Sequence, residues 1–309
     1  MSVDIVCMGE PLLEFNQQPD SKLYLEGFGG DTSNAAVAAA RQGASVGYLT
    51  AGGEDVAGER FLGLWRDEGI DVSGVRRSAE RATAVYFVTH SAAGHAFLYY
   101  RKDSAAAWYG AADVDAGLIA GAKVFYASGV SQGISDRAAD AVFHAMAVAR
   151  AAGVTVAYDT NYRPRLWPAV RAAAVIHAAI GMADIAFPGL EDALALTGLS
   201  DPDAIADFYL RMGPRLVVVK MGAEGALVAT PGTRLLVPAF PCAAVDATGA
   251  GDAFCGSFLA RIVAGDTAED AARYAAVAAA LKCEGYGAVA PIPTAAAVRA
   301  AMRAGGEAG

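Results

Sequence analysis

Residues that build disulfide and metal frameworks are scarce in this sequence. Four cysteines (Cys7, Cys242, Cys255 and Cys283) are scattered over 309 residues, and no two form a Cys-x-x-Cys pair. That spacing excludes a disulfide scaffold and an ordinary zinc site, and it predicts reduced thiols in a cytoplasmic protein. The four histidines are equally dispersed; His90 and His95 lie five apart in a predicted hairpin, and no metal role is expected of them. The common nucleotide fingerprints are missing too. The first apolar run, residues 3–8, ends at the single glycine Gly9 rather than Gly-x-Gly-x-x-Gly, and no Gly-x-x-x-x-Gly-Lys-Ser/Thr occurs. A nicotinamide-dependent oxidoreductase is therefore disfavoured, and any nucleotide must be held elsewhere. No uncharged apolar run is long enough to span a bilayer, and no basic segment precedes the first apolar residues, so neither a membrane span nor a secretory signal is expected. The formal net charge of −9, without a basic stripe, argues against a nucleic-acid partner. It leaves room for an anionic substrate, because a few arginines can dominate a cleft.

What is present suits a large α/β fold. Hydrophobic residues make up 55% of the chain, ample for a buried core in one large domain or two smaller ones. Short strands are expected at 12–15 and 22–28, a helix from about 31 to 43, a strand at 46–50, and a helix carrying Phe61, Leu64 and Trp65 toward the core. Residues 83–89 and 95–101 alternate like a hairpin. From residue 123 onward strands and helices alternate: strands at 124–128, 154–159, 185–187 and 216–220, helices at 136–152, 169–181 and 191–197, a hairpin over 226–237, and final helices near 268–282 and 294–302. That order calls for a mostly parallel sheet covered on both faces, with ligands at the carboxyl ends of its strands.

The stretch VDATGAGDAFCGSFLA, residues 245–260, organises the rest. Gly249, Ala250 and Gly251 have little or no side chain, so their N–H groups can converge on one hollow. Phe254, Phe258, Leu259 and Ile262 follow at helical spacing, which puts that hollow at a helix N-terminus, where orphan N–H groups and the macrodipole favour an anion. Asp252 in the first turn is then placed to take a proton from a hydroxyl attacking a phosphoryl group. An ordinary glycine-rich loop with an acidic helix start is the plainer reading of an isolated Gly-x-Gly-Asp.

Two further clusters carry chemistry. In GFGGDTSNAAVAAARQG, Gly29 and Gly30 allow close approach of a ligand, and Asp31, Thr32 and Ser33 are candidate helix caps, whereas Asn34 in the first turn has no structural explanation. In YDTNYRPRLW, residues 158–167, Asp159 and Asn161 follow a strand and can face phosphates or a hydrated Mg²⁺. Arg163 and Arg165 bracket Pro164, and two guanidinium groups on a restrained loop suit an anionic ligand.

These motifs together resemble the ribokinase-like (phosphofructokinase-B type) carbohydrate kinases over nearly the whole chain. TGAGDAFCGSF is similar to that family's C-terminal signature. Asp-x-Asn-x-Arg-x-x-Leu-Trp, FGGDTSN, LYYRKDSAAAWY, YASGVS and ADIAFPGLEDALALTG resemble its 2-keto-3-deoxygluconate kinase branch. The resemblance implies a single ribokinase-like α/β domain over residues 1–309, a three-layer sandwich with a central, mostly parallel sheet and a small β-sheet lid from about 12–28 and 83–108. It implies that Gly30, Asp31 and Asn34 bind sugar hydroxyls, and that Tyr86, Tyr99, Arg101 and Arg163 contact the substrate. It assigns Asn161, Thr248, Gly249, Gly251 and the Lys220, Gly222, Gly225 loop to ATP, with Cys283 beside the adenine. The family's Asn-x-x-Glu, which orders Mg²⁺ through water, is here Gly189 and Asp192: the carboxylate survives and the amide does not. Asp246 and Thr248 match positions that bind K⁺ in several relatives, and lid strands often pair between subunits, so a homo-oligomer is expected.

The expected function is therefore ATP-dependent phosphorylation of the terminal (C6) hydroxyl of 2-keto-3-deoxygluconate. Asp252 acts as base, and Arg101 and Arg163 hold the acid end. Kinases of a neutral sugar or a nucleoside, and a non-catalytic sugar sensor, are the alternatives; the intact Gly-Ala-Gly-Asp speaks against the sensor. The expectation covers both the gluconate- and the galactonate-derived epimer of the substrate.

Overall fold

The computed structural model describes residues 3–18, 21–91 and 94–306. In chain order, β1 (Ile5–Met8) leads into β2 (Leu12–Gln17) and β3 (Tyr24–Gly29), then α1 (Asp31–Arg41), β4 (Val46–Gly53), α2 (Val56–Asp67) and β5 (Val75–Ser78). The hairpin β6 (Ala84–Ser91) and β7 (Gly94–Tyr100) follows. Then come α3 (Ala116–Ala120), β8 (Val124–Ser128), α4 (Gly129–Gly133), α5 (Asp136–Ala151), β9 (Thr155–Asp159), α6 (Ala169–Ile180) and β10 (Ile185–Phe187). The chain continues through α7 (Leu190–Thr197), α8 (Pro202–Leu210), β11 (Leu216–Lys220), β12 (Ala226–Ala229) and β13 (Arg234–Val237) to α9 (Ala250–Val263), α10 (Ala268–Cys283) and α11 (Ala295–Gly306).

Nine strands form one sheet in the order β13-β12-β11-β10-β9-β8-β1-β4-β5, parallel except for the β11-β12-β13 end. One face packs on α5, α6 and α8, and the other on α1, α2, α9 and α10, so the fold is the expected three-layer α/β sandwich. The strand order reverses at β1, which has β4 on one side and β8 on the other. Ligand crevices of such sheets lie at this reversal, beyond the carboxyl ends of the strands.

A second, four-stranded sheet has the order β3-β2-β6-β7. It ends at Tyr100, short of residue 108, because Ala105 returns to the body through its N–H bond to the Ala82 carbonyl (2.8 Å). Its root is fixed by Asp55, which caps α2 through Gly58 N–H (2.8 Å) and accepts Thr83 N–H (2.7 Å). The side chains of His90 and His95 lie outside the described residues.

Three local expectations are corrected. β5 was not expected: its sequence, VRRS, is a charged sheet edge without alternation, the kind of strand that resists edge-to-edge pairing. α8 was also not expected, although Asp201 caps it and Pro202 opens it. None of Asp31, Thr32 and Ser33 caps α1. Gly30 occupies the N-cap at φ 105°, with its missing Cβ facing the Glu10 carbonyl at 2.3 Å. The three side chains serve other contacts, with Asn161, Tyr48 and Trp65 respectively.

Helices α1 and α9 cross where Gly256 meets α1: a Cβ there would stand 2.1 Å from the Ala35 carbonyl oxygen. Gly256→Val therefore has to push the helices apart, at a cost of about 1–3 kcal/mol. The expected result is a lower urea midpoint together with weaker catalysis, because α1 and α9 carry the polar groups described next; an unchanged midpoint contradicts the close approach.

Candidate active site

Gly249, at φ 76°, is the N-cap of α9, and a Cβ on it would press on Ala288 at 3.1 Å. The Ala250 N–H is already used by the Ala247 carbonyl (3.1 Å). The hollow expected from Gly249, Ala250 and Gly251 therefore centres on Gly251, in a helical turn that has no intrahelical acceptors. A Cβ on Gly251 would lie 3.6 Å from Lys220 Nζ, which puts an ammonium at the mouth of the helix.

Asp252 sits one residue inside, almost wholly buried, and its Oδ2 accepts Asn34 Nδ2 at 2.8 Å. That bond explains Asn34. Burial pushes the Asp252 carboxyl up to about 7, and nearby Asp31 adds to the shift while Asn34 opposes it. Asp31 is likewise raised by burial, and its Oδ2 accepts Asn161 Nδ2 at 2.7 Å. Asp31 Oδ1 and Asn34 Oδ1 are buried without a partner. Two orphan acceptors at one site are expensive unless a hydroxyl fills them. Asn161 holds its position from a left-handed backbone, φ 28°.

Asp159 is fully buried and bonds Lys220 Nζ at 2.5 Å, with Cys255 Sγ at 3.4 Å. It is thus a counter-ion for Lys220 and not an open metal ligand. Burial works against the Lys220 charge, but Asp159 and its neighbours outweigh it and raise the ammonium's pKa. Asp192 Oδ2 accepts Thr160 Oγ1 at 2.8 Å, and Gly189, the N-cap of α7, lies against it. Burial raises the Asp192 carboxyl while Lys220 and Arg163 pull it down.

At the root of the second sheet, Arg101 pairs with Glu10, a fully buried carboxylate that also accepts Ser104 Oγ at 2.7 Å. Burial raises the Glu10 carboxyl against the pull of Arg101. Arg101 Nε is buried and unpartnered. Tyr86 donates its hydroxyl to buried Glu14 and stacks on Tyr99 at 5.5 Å, and Gly29 is kept small by the Tyr86 hydroxyl, 2.8 Å from where its Cβ would be. Glu10 and Glu14 were missed by sequence reasoning. Their signal is an acid directly after the first strand and an acid on the buried face of β2.

The remaining candidates gather less closely. Arg163 is exposed and bonds the Tyr162 carbonyl, and Arg165 reaches the Phe97 carbonyl of β7 (3.2 Å). Gly222 and Gly225 bound the turn between β11 and β12; Gly225 packs against Val237 and Ala239, so its smallness has a structural cause. Thr248 N–H donates to Asp246 Oδ1 (2.9 Å). Cys283 offers its carbonyl, not its thiol, to the loop, accepting Val245 N–H and Asp246 N–H.

A buried base at a helix N-terminus, an ammonium at the same mouth and a polar pocket with free acceptors beside it define a phosphotransferase acting on an alcohol. Residues 4–295 match the pfkB family of carbohydrate kinases, and the chain belongs to that family. It is 33% identical to the 2-dehydro-3-deoxygluconokinase of Thermoproteus tenax, over 90% of this chain and 88% of that one. It is 31% identical to fructokinase-1 of Oryza sativa subsp. japonica, over 94% of each chain. Among solved structures, a fructokinase of Xylella fastidiosa with bound ATP superposes with a TM-score of 0.91 at 26% identity, over 99% of this chain and 100% of that one.

Proposed function

We propose that the protein is an ATP-dependent kinase of 2-keto-3-deoxygluconate (2-dehydro-3-deoxygluconate), phosphorylating its C6 hydroxyl. The observation that carries the reading is Asp252, buried between Asn34 and the open turn of α9 with Lys220 beside it. The Asp252 carboxylate takes the C6 hydroxyl proton as O6 forms its bond to the γ-phosphorus. The bond from that phosphorus to the β,γ-bridging oxygen breaks, and ADP leaves with the electron pair. The Gly249–Gly251 turn and Lys220 bind the charge on the transferring group. Gly30, Asp31, Asn34, Tyr86 and Tyr99 orient the sugar, and the second sheet serves as a lid that keeps water out, within one folding unit. Asn161, Thr248 and the 222–225 turn line the nucleotide side. Mg²⁺ neutralises phosphate oxygens when bound; Asp192 fits it as a single carboxylate acting through water, the usual way such sites hold Mg²⁺.

For the acid end of the substrate, Arg101 Nε is a buried donor with no partner, and Arg163 is exposed and near enough to Asp192 to pull its carboxyl down. The 2-dehydro-3-deoxygluconokinase relatives support an acid sugar. The Glu10–Arg101 pair favours the second reading, a neutral sugar, because it already neutralises one cation, and fructokinases are also among the relatives. The protein is read as cytoplasmic and homo-oligomeric. The outer face of the second sheet exposes Tyr24, Leu98 and Tyr100 around the stacked Phe15 and Phe87, an apolar surface suited to a second copy.

Three measurements test these readings. ADP release with ATP and Mg²⁺ is compared for the gluconate- and galactonate-derived keto-deoxy acids, fructose, ribose and adenosine. Turnover confined to the acids is expected, with Arg101→Met raising KM steeply; turnover on fructose instead carries the neutral-sugar reading. Asp252→Asn should lower kcat by about 10²–10⁴-fold. Since the raised carboxyl must ionise to act, kcat/KM should fall as pH drops below about 7, and near-normal turnover by the variant removes Asp252 as base. Sedimentation should find an oligomer that Tyr100→Lys weakens, and a wild-type monomer overturns the lid contact.

A further inference from the structure

Helix α10 closes on a lysine that is wholly buried. Lys282 Nζ donates to the Asp246 carbonyl at 2.8 Å. Burial holds its pKa below the usual lysine value, and Asp246, Cys283, Asp252 and Glu14 pull the other way. The surroundings are those of the loop that leads into α9. Val245 N–H and Asp246 N–H both bond the Cys283 carbonyl, at 2.8 and 3.1 Å. Asp246 Oδ1 accepts Thr248 N–H at 2.9 Å, and Oδ2 accepts Gly287 N–H at 2.8 Å. Gly249 then rests on Ala288. Residues 245–249 are thus laced to residues 282–288, and Lys282 brings a positive charge into that lacing.

A monovalent metal ion at Asp246 and Thr248 needs several oxygens free to replace its hydration shell. In this chain both Asp246 carboxylate oxygens already accept N–H groups, and the Asp246 carbonyl accepts an ammonium. An ion there would stand beside the Lys282 ammonium, a like charge that already occupies the Asp246 carbonyl. The residues present do not fit the ion.

We infer that the Lys282 ammonium stands in for a monovalent cation beside the phosphate-binding turn, as a built-in positioning charge. It holds the Asp246 carbonyl, and through it the turn to Gly249 and the start of α9, and it offsets the carboxylates of Asp246, Asp252 and Glu14. The inference rests on reading the Gly249–Gly251 turn as the phosphate cradle, and it makes the enzyme independent of K⁺.

The test compares the wild-type protein in K⁺, Na⁺ and tetramethylammonium chlorides at equal ionic strength, recording both thermal midpoint and turnover. The expected result is no difference in either. A K⁺-specific rise in midpoint or turnover overturns the inference, since a bound ion must stabilise the folded state by mass action. Lys282→Ala should lower turnover about tenfold or more. Ammonium or K⁺ should then restore it and raise the variant's midpoint, by filling the space the side chain leaves. A folded variant with normal turnover, or with a loss that neither cation repairs, overturns the inference. If the variant fails to fold, the wild-type salt series still decides. The midpoints need no sugar, so a wrong substrate assignment leaves this test intact.

Discussion

The site depends on a carboxylate held out of water by an amide. Among the described residues Asp252 has no cation in hydrogen-bonding contact; Asn34 Nδ2 is its side-chain partner. Burying a carboxylate beside a neutral donor keeps it basic, whereas a contacting cation would pin its charge and make it a poor proton acceptor. The geometry this requires is demanding, because Asn34 and Asp252 belong to helices 218 residues apart in sequence. They meet because α1 and α9 cross closely at Gly256, and because Gly30, with no side chain, lets α1 start hard against the Glu10 carbonyl. The backbone contacts come first, and the chemistry of the base follows from them.

Four buried acids here fall into two groups by the partner that holds them, while Glu14 is held by the Tyr86 hydroxyl. Asp159 and Glu10 each contact a cation, Lys220 and Arg101; the first pair lies at carboxyl ends of main-sheet strands, and the second joins the end of β1 to the end of β7 in the second sheet. Asp31 and Asp252 contact amides instead, from Asn161 and Asn34. Burial raises both amide-held carboxyls, and Glu10 as well against the pull of Arg101. The cation-held group keeps Lys220 and Arg101 charged in place without letting either collapse onto Asp252, so the cleft has fixed positive groups and a basic carboxylate at once. Breaking either pair would strand a buried charge, which is costly in its own right.

Much of this was legible in the chain because it depends on neighbours in sequence. The strand and helix alternation after residue 123, the glycine-rich entry to α9 and the odd polar Asn34 all signal through local spacing. Asp55, just before α2, is a local signal of the same kind: it caps that helix and clips Thr83. β5 was missed because an edge strand of charged residues has no apolar period to detect. α8 was missed despite its Asp-Pro start, which is a local signal and was available.

What could not be read were residues whose meaning comes from a partner far along the chain. Glu10 follows the first strand and looks like any polar residue entering a loop, until Arg101 and Ser104 arrive from 91 and 94 residues away. Asp159 resembles a metal or phosphate ligand until Lys220 is seen on its Oδ2. Lys282 is the extreme case. By sequence it is an ordinary basic residue in the last turn of a helix, favourable to the dipole and expected to reach solvent. The fold instead turns it inward onto the Asp246 carbonyl, and a motif that resembles an ion site in its own spacing has its oxygens occupied from elsewhere. Spacing identifies which groups a loop offers; whether they are free is decided by the tertiary contacts around them.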